Sequence, residues 1–248
     1  MQDEFAPAVQ AAMELYEARF GQRLRAVYLA GSLACGEALA GISDMDIFCF
    51  VSHEPDASDL QWRAQSEQAL AKRFPHVEGF HLNANSCEHL AKEWSWRFIL
   101  RYNSVLLKGD DVVTELEERG VDTPAPSKAL AKDHVWWIRK CFEGAVAGRV
   151  PTELYTPPDN PYLATRKLAR NFVNVEGAFL LMVDSAFVSF RRQDVLGQLR
   201  KLYPQWEELY AMAESVQMDP LGAAVTPDRF MACLEPFMRW AIAHIENA

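Results

Sequence analysis

Val27-Tyr28-Leu29-Ala30-Gly31-Ser32, then eleven residues from Leu33 to Ser43, then Asp44-Met45-Asp46-Ile47-Phe48-Cys49-Phe50-Val51: the reading of this stretch decides the fold. An apolar run ends at a Gly-Ser pair, a mixed segment with Gly36 and Gly41 follows, and a second apolar run opens on two carboxylates at alternate positions. Successive side chains of a strand point to opposite faces, so Asp44 and Asp46 project together while Met45 and Ile47 face the other way. Two carboxylates on one face repel each other unless a cation lies between them. A hard divalent ion such as Mg²⁺ takes one or two protein carboxylates and completes its octahedron with water and substrate phosphates. Gly31 lets the backbone turn and approach a ligand closely, main-chain N–H groups in such a turn cradle an anion, and the Ser32 hydroxyl adds a donor. The stretch predicts a nucleoside triphosphate held against its metal. Singly, Asp-x-Asp and Gly-Ser are common in solvated loops; their placement between two apolar strands carries the reading.

Outward from this stretch, the first half alternates helix and strand. Pro7 to Phe20 reads as a helix with Gly21 as its stop, and Arg25 to Ala30 and Asp46 to Val51 as the first two strands. Asp59 to Phe74 reads as a helix capped by Asp59 or Ser58, Val77 to Leu82 as a third strand, Glu88 to Tyr102 as a helix, and Ser104 to Leu107 as a short closing strand. That order predicts an α+β fold, a small mixed sheet backed by helices. The run Val121-Asp122-Thr123-Pro124-Ala125-Pro126-Ser127 marks a break, after which strand-like alternation disappears. The expected division is residues 1–121 as a sheet domain and residues 122–248 as an all-helical bundle. Within the bundle, Ala164 to Phe187 is the strongest helix, followed by Arg192 to Leu202, Pro204 to Val216 and Pro227 to Glu246.

Composition narrows the partners. A chain of 248 residues, half of them hydrophobic, can bury one large core or two modest ones. A net charge of -9 argues against a nucleic-acid partner, whose affinity would come from clustered Lys and Arg, and favours a small cationic acceptor. The five cysteines are odd in number and lack a CxxC pair, which favours reduced thiols over a disulfide framework or a zinc site. The start Met1-Gln2-Asp3-Glu4 carries no secretory signal and no apolar run is long enough to span a bilayer, so no membrane role and a cytoplasmic location are expected.

The strand, Gly-Ser, spacer and Asp-x-Asp sequence resembles the DNA polymerase β-like nucleotidyltransferase superfamily. Leu106-Leu107-Lys108-Gly109-Asp110-Asp111-Val112-Val113, Ala169-Arg170-Asn171-Phe172, Asp194-Val195-Leu196 and Leu202-Tyr203-Pro204 look like the aminoglycoside adenylyltransferases that modify spectinomycin and streptomycin. The resemblance implies a nucleotidyltransferase domain joined to a helical substrate-binding domain, with ATP as co-substrate and the antibiotic in the cleft between. It implies that Asp44 and Asp46 hold Mg²⁺, that Gly31 and Ser32 hold the outer phosphates, and that a third carboxylate lies on the strand beside the Asp-x-Asp. Glu78, in His76-Val77-Glu78-Gly79-Phe80-His81-Leu82, matches that place as metal ligand and general base; the alternative is an edge-strand glutamate in water. His81 faces away from Glu78 in a regular strand and is assigned no catalysis.

Two features depart from the resemblance. Leu33, Ala34 and Cys35 stand where family members often carry a basic residue, and Gln193 stands where they carry Lys before the Asp-Val pair. Arg191 or Arg192 takes over the phosphate contacts, or both sit on a solvated helix start. For a cationic acceptor the helical half offers Glu176 and Asp184, eight residues apart and so on one helix face, with Trp136, Trp137 and Tyr162 as aromatic walls. Tryptophans of this kind are more often core, and helical carboxylates more often solvated, which is the alternative reading of the same residues. Rival readings are nucleotide transfer to a protein hydroxyl, as in regulatory or toxin-antitoxin enzymes, and a catalytically silent nucleotide-binding module. An RNA-tailing activity would need a basic groove that the composition does not supply.

Overall fold

Ala30 stands opposite Asp46 because β1 (Leu24–Ala30) and β2 (Met45–Val51) pair antiparallel, so the Gly-Ser turn and the carboxylates meet at one end of the sheet. The computed structural model describes residues 2–147 and 161–248. β3 (Phe80–Ser86) runs parallel to β2 on its outer side, and β4 (Ser104–Gly109) pairs antiparallel with β1, giving the order β3-β2-β1-β4. This small mixed sheet, followed by helices, is the expected α+β architecture. The chain divides into two compact units, Met1–Pro124 and Ala125–Ala248.

Both faces of the sheet are covered. On one, Val27, Leu29, Ile47, Cys49 and Leu82 pack against α1 (Ala6–Phe20) and α3 (Ala57–Arg73) through Val9, Tyr16, Phe20 and Leu70. On the other, Tyr28, Phe48 and Phe50 pack with Leu90, Leu100, Val112, Val113 and Leu116. These come from α4 (Cys87–Lys92), α5 (Trp94–Tyr102) and α6 (Val112–Glu118). Coverage on both sides explains why β1 and β2 are near-continuous apolar runs, and each fully buried large side chain contributes roughly 1.5–3 kcal/mol.

Buried polar groups fix the layers. The Tyr16 hydroxyl lies 3.2 Å from the Ile47 carbonyl and 3.2 Å from that of Asn83, joining α1 to β2 and β3. Burial pushes its phenol well above the ordinary value. Asp59 is 2% exposed and takes Arg19 at 2.7 Å and Arg23 at 3.2 Å. It is not the cap of α3, as the sequence suggests, but the third residue of a capping box. Asp56 accepts from the Ser58 and Asp59 amides, and the Asp59 side chain accepts from the Asp56 amide.

Other boundaries also differ from expectation. The helix expected over Glu88 to Tyr102 is two, broken at Glu93, where Arg97 takes the carbonyls of Leu90 and Ala91 with its buried guanidinium. The third strand begins at Phe80 rather than Val77, since residues 75–78 form a bend that hydrogen-bonds back to the start of β2.

The regular elements among the described residues of the second unit are all helical: α7 (Lys128–Val146), α8 (Pro161–Leu168), a π-helical stretch (Ala169–Val175), α9 (Glu176–Asp184), α10 (Arg192–Leu202), a 3-10 turn (Pro204–Trp206), α11 (Glu207–Met218) and α12 (Pro227–Asn247). α7 packs on α9 and α12. The long helix expected to reach Phe187 ends at Asp184, and the expected breaks at Val150-Pro151 and through residues 155–160 lie outside the described residues. Among the described residues no helix is long and apolar enough to cross a membrane.

Candidate functional site

The backbone at Gly31 has φ +70°, a left-handed conformation that favours glycine, and it opens the short helix α2 (Gly31–Cys35) directly from β1. Gly36, at φ +73°, closes that helix after five residues. The Ser32 Oγ is buried and has no hydrogen-bond partner among the described residues. A buried hydroxyl without a partner is costly, and a bound acceptor would relieve it.

Three backbone hydrogen bonds fasten the approach to β2 against the bend before β3. The Gly41 amide donates to the His76 carbonyl at 2.6 Å, the Glu78 amide to that of Ser43 at 3.0 Å, and the Met45 amide to that of Gly79 at 2.8 Å. The Ser43 hydroxyl accepts from the Leu39 amide at 2.9 Å. Asp44 and Asp46 are therefore presented by a fixed backbone, and both are half-buried.

The parallel register of β2 and β3 sets Met45 beside Phe80, Asp46 beside His81 and Ile47 beside Leu82. In-register residues of parallel strands share a face. Phe80 and Leu82 enter the core with Ile47, so His81 emerges with Asp46. Among the described residues one group of three or more potential metal ligands gathers: Asp44, Asp46 and His81, each offering an atom within 4.8 Å of the others. His81 Nε2 is 3.9 Å from Asp44 Oδ2.

Glu78, read from the sequence as the third ligand, is instead on the bend before the strand, exposed and outside that group. Because the strand begins at Phe80, the expected alternation between Glu78 and His81 does not apply. Phe80 and Leu82 alternate with His81 in the sequence, and their place in the core leaves His81 off that side of the strand.

In the second unit the expected acceptor ligands are engaged in structural contacts. Glu176 is buried at 8% exposure, with Oε2 3.3 Å from His134 Nε2, and the His134 ring stacks on Phe179 at 3.9 Å. Asp184 takes Tyr203 and His244. Trp136 is 61% exposed and lines a shallow groove with Arg139, Lys140 and Glu143 that includes neither carboxylate. Trp137 meets Trp136 edge-to-face at 5.6 Å and carries the Lys140 ammonium over its ring, and Tyr162 is half-buried. Of the two arginines, Arg191 is the exposed cap of α10 and Arg192 is buried in its first turn.

No family model matches the sequence, and no curated protein matches it. Among solved structures, one with a toxin-antitoxin and AMP-PNP aligns with 59% of this chain and 99% of its own at a TM-score of 0.34 and 17% identity, too distant to carry an argument. Spectinomycin adenyltransferase AAD(9) from Enterococcus faecialis, solved with ATP and spectinomycin, aligns with 97% of this chain and 99% of its own at a TM-score of 0.61 and 10% identity. Over nearly its whole length this chain has the fold of that adenyltransferase, and the resemblance read from the Gly-Ser and Asp-x-Asp spacing holds at the level of fold.

Proposed function

We propose that the chain is a nucleotidyltransferase that transfers AMP from ATP to a hydroxyl of a small cationic acceptor of the aminoglycoside class, releasing pyrophosphate. The observation that carries this reading is the meeting of Asp44 and Asp46 with the buried Ser32 hydroxyl at one end of the sheet, on the fold of an ATP-bound adenyltransferase. The donor set fits a divalent cation, since two half-buried carboxylates on one face are the oxygen ligands a hard ion prefers. When bound, Mg²⁺ would neutralise charge on the triphosphate oxygens.

The protein's own groups then have these roles. Ser32 and the Gly31 backbone hold the outer phosphates. Asp44 and Asp46 hold the cation. Glu78, exposed on the bend and tied through its amide to Ser43, accepts the proton of the attacking hydroxyl. The hydroxyl oxygen bonds to the α-phosphorus, the bond from the α-phosphorus to the bridging oxygen breaks, and the electron pair leaves with pyrophosphate.

A net charge of -9 suits a polyamine sugar, and Trp136 offers it an aromatic face. Five cysteines without a disulfide and the use of ATP fit a cytoplasmic enzyme.

The test is incubation with labelled ATP, Mg²⁺ and a panel of aminoglycosides. Label on spectinomycin or streptomycin is the expected product; label on the protein itself or on lysate proteins would point to a protein acceptor instead. Asp46→Asn is expected to abolish transfer with an unchanged melting curve, and undiminished pyrophosphate release by that variant would refute the role of the carboxylate.

A further inference from the structure

The third potential ligand at the carboxylate pair is an imidazole. We propose that His81 is a ligand of the cation held by Asp44 and Asp46, forming a site of two carboxylates and one imidazole that takes Mn²⁺ in preference to Mg²⁺. The inference rests on the reading of Asp44 and Asp46 as metal ligands.

Geometry supports it first. His81 is in register with Asp46 on adjacent parallel strands and shares its face. Its Nε2 lies 3.9 Å from Asp44 Oδ2, too far for a hydrogen bond but near the separation of two ligands on one ion, whose bonds of about 2.1 Å each span up to about 4.2 Å. One atom from each of the three side chains lies within 4.8 Å of the others, so drawing them onto an ion requires shifts of a few tenths of an ångström to about one. The imidazole is exposed and contributes nothing to the core that its neighbours Phe80 and Leu82 build.

Chemistry supplies the preference. Both ions take carboxylates, but Mn²⁺, the first member of the transition-metal affinity series, accepts an imidazole nitrogen more readily than Mg²⁺, which keeps to oxygen donors and holds its water tightly. A carboxylate at residue 81 would make an all-oxygen site; histidine moves it toward Mn²⁺. Glu78 is then left with the proton-accepting role alone.

The test uses the full chain with Mn²⁺ alone, followed by electron paramagnetic resonance. Loss of the free-ion signal gives affinity, and pulsed measurements detect ¹⁴N coupling from a coordinated imidazole. The native protein is expected to show that coupling. His81→Ala is expected to lose it and to bind Mn²⁺ at least about tenfold more weakly. His81→Glu should bind without nitrogen coupling and with a Mn²⁺ to Mg²⁺ affinity ratio lower by about tenfold. Both substitutions are at an exposed position, and an unchanged melting curve confirms that the fold is kept. Mn²⁺ bound without nitrogen coupling, or bound equally well by His81→Ala, overturns the role of His81 and leaves the carboxylate reading standing. If Asp46→Asn binds Mn²⁺ as the native chain does, or the native chain binds none, the metal reading itself fails and this inference falls with it.

Discussion

Tyr203 and His244 converge on one oxygen of Asp184. The Tyr203 hydroxyl donates to Oδ2 at 2.7 Å, and His244 Nε2 lies 2.7 Å from the same atom. The last residue of α9 is thereby tied to the end of α10 and to α12. Partial burial pushes the Asp184 carboxyl up, but the hydrogen bonds from Tyr203 and His244 outweigh it and hold the group below the ordinary carboxylate range.

The sign of the pH effect follows. A carboxyl depressed in the folded state stabilises the fold above its unfolded value of about 3.9, and that contribution is lost as pH falls through the lower folded value. Because the Asp184 side chain is 39% exposed, screening limits the contribution to about 1 kcal/mol or less. Asp184→Asn should lower the melting temperature at pH 7 and reduce the drop seen between pH 5 and pH 2. Thermal unfolding across that range checks it; an unchanged melting temperature at pH 7 would sink the idea.

Ser32→Ala separates ligand binding from folding. Its Oγ is buried without a partner among the described residues, so removing it should leave the melting temperature unchanged or raise it slightly. Under the proposed reaction it should raise the KM for ATP by about tenfold, the worth of one hydrogen bond to a charged group. A fall in stability with no change in ATP dependence would give the hydroxyl a structural role instead.

Gly109→Ala should be among the most damaging single substitutions in the first unit. Gly109 adopts φ +83° at the end of β4, and an added Cβ would lie 1.9 Å from the Arg25 carbonyl oxygen on β1. Either β4 separates from β1 or the backbone rearranges, at a cost of about 3 kcal/mol or more. Urea unfolding measures the loss, and a midpoint equal to that of the native chain would show that the strand pair adapts.

What could be read from the sequence was local and periodic. The apolar runs through Val27 and Phe48 identify two buried strands, and alternation places Asp44 and Asp46 on one face before any pairing is known. What escaped depends on contacts between elements. The capping role of Asp56 is shared with Asp59, which is buried between Arg19 and Arg23 on a separate helix and its following turn. The start of β3 depends on the bonds from Gly41, Glu78 and Met45, which no window around residue 78 contains. The spacing of Glu176 and Asp184 puts them on one helix face, but His134 comes from a different helix to cover one while Tyr203 and His244 hold the other. Periodicity shows which residues face together; it does not show what meets them.

The bend over residues 75–79 is held at fixed length between α3 and β3 by its bonds to the segment leading into β2. Adding or deleting one residue there would slide β3 by one step, bring Phe80 or Leu82 out beside Asp46 and drive His81 into the apolar layer. Loop grafting or random insertion at this bend would damage core and carboxylate site together, so the length of the bend and the chemistry of the site are one constraint.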